Sequence, residues 1–135
     1  MQSSLMGLAD VRIAQGEYEE AQERLLRAVA LLEQSGQLLG LAKAWLMLSL
    51  LLSLRNELEE AAVLAARARE LRERFGNPSE TATCCNQQGE ILRRQGKLAA
   101  AEEAYATAIR LYESSGSPWS FMPRVNLALV RMEQD

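Results

Sequence analysis

Residues 38–54 read LLGLAKAWLMLSLLLSL, between Gln37 and Arg55, and form the most apolar stretch of the chain. A membrane-spanning helix needs about 20 apolar residues almost free of charge. Lys43 interrupts this run and leaves only Ala44 to Leu54 uncharged before Arg55. The expectation is a helix surrounded by protein on most sides, with no membrane span.

The sequence on either side of this stretch repeats. Gly36, Gly76 and Gly116 recur at 40-residue intervals, as do Gly16, Asn56 and Gly96. The same interval separates Ala21, Ala61 and Ala101, then Ala28, Ala68 and Ala108, then the small residues Ala9, Ser49 and Gly89. Each register has a physical role. Gly16, Asn56 and Gly96 stand where one helical pattern ends and the next begins, a position that calls for left-handed backbone. Gly36, Gly76 and Gly116 close the second helix of each pair. Asn77-Pro78 with Glu80, and Ser117-Pro118, read as helix starts, the first resembling a capping box. The alanines and small residues allow close helix approach, with Leu25, Val29, Trp45, Leu48, Val63, Leu92, Leu98, Tyr105 and Ile109 filling the spaces between.

These signals predict helices over about 3–15, 18–34, 38–55, 58–75, 79–95, 98–114 and 121–134, with no strands. Pro123 would break a helix begun at Pro118, so the last helix either kinks there or starts near Met122. The fold class expected is all-α, three antiparallel helix pairs plus a terminal helix, repeated along the chain. One domain of 135 residues is expected, in units of about 1–36, 37–76 and 77–116 and a half unit 117–135.

With 48% hydrophobic residues the chain can build a core, and its net charge of −3 argues against a nucleic-acid surface. The start, MQSSLMGLAD, has no basic segment followed by a long apolar one, so a cytoplasmic location is expected. Cys84 and Cys85 are adjacent, a spacing that disfavours a disulfide between them, and they read as reduced, buried side chains. The chain has no histidine and only these two thiols, too few nitrogen and sulfur ligands for a zinc site. No catalytic constellation, metal site or cofactor is expected. The acidic runs at Glu17 to Glu20 and Glu57 to Glu60 suit the starts of helices facing water.

The residues resemble tetratricopeptide repeats. That motif appears as Leu5, Leu8-Ala9, Gly16, Tyr18, Ala21, Leu25 and Ala28. It recurs as Trp45, Leu48-Ser49, Asn56, Leu58, Ala61, Ala65 and Ala68, then as Cys85, Gln88-Gly89, Gly96, Leu98, Ala101, Tyr105 and Ala108. The 40-residue unit is longer than the usual 34, and in this it is similar to units of the LuxR- and AfsR-type bacterial transcriptional regulators and of kinesin-light-chain-like adaptors. The chain accordingly reads as part of a longer array, or as an array closed by one unpaired helix.

The resemblance implies a right-handed superhelical solenoid of these three helix pairs plus a terminal helix, a scaffold that binds a protein or peptide through a concave face lined by the first helix of each pair. The groove positions it implies are Ser3, Met6, Asp10 and Ile13, then Lys43, Leu46, Met47, Leu50 and Leu54, then Thr83, Asn86, Glu90, Arg93 and Arg94, and finally Asn126. Leu46, Leu50 and Leu54 form one stripe, while Trp45, Leu48 and Leu52 occupy the other side of the same helix. Left open, the stripe would expose on the order of 300 Å² of apolar surface, the size of an interaction patch. Either it receives an amphipathic helix or extended peptide, with Arg93, Arg94 and Lys43 orienting an acidic flank, or superhelical curvature buries it. The alternative function is homodimer formation through the last helix, where Val125, Leu127, Leu129 and Val130 lack a covering helix.

Overall fold

A computed structural model of the chain describes residues 15–134. Six α-helices follow one another: α1 (Gln15–Ser35), α2 (Leu38–Leu54), α3 (Leu58–Phe75), α4 (Pro78–Arg94), α5 (Leu98–Ser114) and α6 (Phe121–Gln134). A single 3-10 turn, Pro118–Ser120, precedes the last, and no strand occurs among the described residues. The helix expected over 3–15 lies, apart from its final residue, outside the described residues, as do Ser3, Met6, Asp10 and Ile13.

The turns follow from local chemistry. Asn56 (φ 65°) and Gly96 (φ 80°) take the left-handed conformation between paired helices, and Gly36 and Gly116 do so after the second helix. Gly76 closes its helix differently, in extended backbone with φ −105° and ψ −166°. The reason lies just beyond it. The Asn77 side chain accepts from Glu80 N at 2.9 Å, and Glu80 accepts from Asn77 N at 3.2 Å, so the capping box dictates how the chain enters α4. Gly16, expected to make a left-handed turn, instead lies inside α1.

The difficulty at Pro123 is resolved by the 3-10 turn. Ser117 Oγ accepts from Trp119 N at 3.2 Å, and α6 begins only at Phe121. Pro123 thus sits in the first turn of α6, where its missing N–H has no intrahelical partner to lose.

Consecutive helices pack against one another along the chain, as in an all-α solenoid of antiparallel pairs. The first helices of successive pairs also touch, α2 with α4 and α4 with α6, whereas α3 and α5 share no extended contact. That asymmetry places α2, α4 and α6 on the inside of the curve. The core is built at the repeating small residues. Ala61, Ala101, Ala68 and Ala108 are fully buried, and Leu48, Leu52 and Ile91 close over Ala61 and Ala65. Ser49 is also fully buried and donates to Ala61 O at 2.7 Å. Val63 was expected in this core but stands 51% exposed, because Ala61, Ala65 and Leu64 already fill the α2–α3 contact.

Candidate functional site

The candidate groove is the inner side of α2, α4 and α6. On α2, Leu41, Ala42, Ala44, Leu48, Ser49, Leu51, Leu52 and Ser53 are buried, so its outer and lateral faces serve the core. The implied groove residues Leu46, Met47, Leu50 and Leu54 are all half-buried, and Lys43 is exposed. Leu46 packs with Trp45 and Leu71 against Ala42, Ala68 and Cys84. The stripe is therefore partly used by the fold and presents less than its full area to solvent. Lys43 forms no ion pair among the described residues.

On α4 the polar groove residues bind one another. Glu90 accepts from Arg93 at 3.1 and 3.2 Å and from Arg94 Nε at 3.0 Å. Arg94 also donates to Ser53 O on α2 at 3.1 Å, tying two first helices together. Arg93 reaches toward Glu133 on α6 at 3.8 Å, and the Tyr105 hydroxyl donates to Glu90 at 3.4 Å. Burial works against the Glu90 charge, but hydrogen bonds from Arg94 and Arg93 more than offset it and hold the carboxyl below its ordinary range. Burial, followed by the Glu90 charge, pushes the Tyr105 hydroxyl well above its ordinary value. Asn126 Nδ2 donates to Asn86 Oδ1 at 3.2 Å, across positions one repeat apart. Glu90 thus engages two of the three cations expected to meet an acidic ligand flank, Arg93 and Arg94.

The thiols are buried as expected, and burial raises both, Cys85 to about 11. Such thiols are poor nucleophiles at neutral pH.

The last helix divides differently from its sequence reading. Leu127 (9% exposed) and Val130 (fully buried) pack with Tyr105 and Ala101 of α5, so half of the residues expected to be uncovered are core. Arg124 pairs with Glu113 and Arg131 with Glu102, fixing α6 on α5. Val125 and Leu129 do remain exposed, together with Met122 and Met132. These four are spaced three, four and three residues apart, and so form a seam roughly 150° around the axis from the buried side. That spacing was legible in the sequence. The Glu90 arrangement was not, because Ser53, Tyr105 and Glu133 come from three other helices.

No helix is long and apolar enough to cross a membrane among the described residues. No curated protein matches the chain. Two tetratricopeptide-repeat family models do match, one over residues 1–74 and one over 81–115. Repeats of this kind generally mediate protein–protein interaction and are not catalytic. The chain belongs to the tetratricopeptide-repeat family.

Proposed function

We propose that the protein is a scaffold module that binds an amphipathic helix or extended peptide along the inner side of α2 and α4, within a larger regulatory or adaptor protein of the cytoplasm. The observation that supports it is α2 itself. The helix is apolar on the face that builds the core and again at Met47, Leu50 and Leu54, which stay half-open. A soluble protein gains little from leaving such a stripe wet, and apolar anchors at helical spacing suit a partner helix or peptide. With Arg93 and Arg94 held by Glu90, recognition is led by apolar contact, and Lys43 is the cation left for an acidic flank.

Display selection of random peptides against the folded protein, repeated with Leu50→Glu, tests this. Peptides rich in apolar residues should be enriched on the parent and lost on the variant, with helicity by circular dichroism unchanged. Equal enrichment on both, or loss of the fold in the variant, overturns the reading and leaves the stripe as core.

Self-association is the second reading, and the seam at Met122, Val125, Leu129 and Met132 favours it. Its heptad spacing suits pairing with the same seam of another copy. With neighbouring Phe121 it exposes on the order of 500 Å² per copy, so two copies approach the ~1,000 Å² of the smallest specific interfaces. Light scattering over a concentration series should show a dimer that Val125→Lys dissociates. A monomer throughout the series overturns this reading.

A further inference from the structure

On the outer side of the solenoid, opposite the inner faces of the first helices, α3 and α5 diverge and leave a groove of about 480 Å³ over α4. Its two ends differ. Ala62, Leu92, Ala100 and Ala104 make one end largely apolar, with the exposed Glu103 beside them. Arg69, Gln88, Thr107 and Arg110 make the other polar and cationic.

This groove is particular to its place in the chain. One repeat earlier, Gln22, Glu60 and Leu64 stand where Ala62, Ala100 and Ala104 stand here, and Gln22 is occupied by a hydrogen bond from Arg55. Likewise, Val29, Leu48 and Glu70 precede Arg69, Gln88 and Arg110. Three truncations open the second groove, and two guanidinium groups enter it. Arg110 donates to the neutral Thr107 hydroxyl at 3.2 Å and forms no ion pair among the described residues. Arg69 forms an ion pair with Glu73 through Nε at 2.9 Å and donates Nη1 to Gln88 at 2.9 Å, and no hydrogen bond among the described residues engages its Nη2. Glu103, the groove's own acid, lies about 10 Å up α5 from Arg110 and does not neutralise it.

We propose that this outer groove binds an extended peptide segment whose apolar side chains fill the alanine-lined end and whose acidic side chain lies between Arg69 and Arg110. The lengths agree. Ala62 to Arg69 spans about 10 Å of helix, which three extended residues cover. The Gln88 side-chain amide keeps its N–H groups for the segment's backbone carbonyls, while its oxygen accepts from Arg69 and the Thr107 hydroxyl is taken up by Glu103 O and Arg110. The site is independent of the inner stripe, so a failure of one reading leaves the other standing.

The probe is the fluorescein-labelled peptide amide Val-Leu-Val-Glu, compared with its Gln-ended counterpart by fluorescence anisotropy. The Glu peptide should bind about tenfold more tightly than the Gln peptide. Arg110→Ala should remove that preference, Ala104→Leu should abolish binding by filling the groove, and Leu50→Glu should leave binding unchanged. Circular dichroism confirms that each variant is folded. The proposal is overturned by no binding to the parent protein, by equal affinity for the two peptides, by undiminished binding to a folded Ala104→Leu variant, or by loss of binding in a folded Leu50→Glu variant.

Discussion

Gly89 on α4 faces the Tyr105 ring on α5 so closely that a methyl group on Gly89 would stand 2.6 Å from Tyr105 Cε1. One repeat earlier the same two positions hold Ser49 and Ala65, so a larger residue on the first helix meets a smaller one on the second. The pair trades volume across the interface while the backbones keep their approach.

Gly89→Ala should therefore destabilise the protein by about 1–3 kcal/mol, because overpacking against a fully buried ring outweighs the ~1 kcal/mol gained in helix propensity. Tyr105→Ala should cost about 3–5 kcal/mol through the cavity it leaves. In the double variant the alanine methyl has room, so the two costs should sum to more than the measured loss. A double-mutant cycle by urea denaturation checks this, and strict additivity would contradict the contact.

The left-handed turns give a second, local prediction. Asn56→Gly should stabilise by a few tenths of a kcal/mol or more, since glycine takes φ 65° freely. Gly96→Ala should cost about 1–2 kcal/mol for the opposite reason, even though a methyl there meets no atom within 4 Å. Thermal melts of the two variants should move in opposite directions.

Stability should fall in acid through Glu90. Its folded pKa is lowered, so its contribution is present above the unfolded value of about 4.3 and is lost as pH falls through the lower folded value. Glu90→Gln should flatten the decline of stability below about pH 4.3 and cost about 1–3 kcal/mol at neutral pH, where both arginines lose the carboxylate charge between them. Urea midpoints measured from pH 3 to 7 test it, and an unchanged acid slope in the variant removes Glu90 as the cause.

The cysteines act at the other end of the pH scale. Cys85 titrates at about 11 in the folded chain, so the unfolded chain releases its proton first and stability should decline from about pH 8.5 upward until that folded value is passed. At neutral pH both thiols should resist a thiol-specific reagent and react only as denaturant opens α4. Rapid labelling of the native protein would show α4 to be less closed than its packing implies.

The helices from residue 38 onward, the turns at Asn56, Gly96 and Gly116, the capping box at Asn77 and the repeat period were all legible in the chain, because each depends on backbone preference and side-chain spacing within one or two turns. Tertiary structure decided the rest. Gly76 shares its register with Gly36 and Gly116 yet is extended, because the cap that follows it redirects the chain. The spacing of Glu90 three and four residues before Arg93 and Arg94 is a local helix pairing, but that Ser53 on α2 and Glu133 on α6 also engage these arginines was decided by the fold. Leu127 and Val125 read alike as uncovered, yet one lies under Tyr105 and the other faces water. The alanine-lined outer groove exists only because Ala62 of α3 and Ala100 and Ala104 of α5, on helices a repeat apart, come to line one gap. Local sequence sets which segments become helices; the side chains that meet across them, brought from a repeat away, decide which faces are used up by the fold and which stay open to a partner.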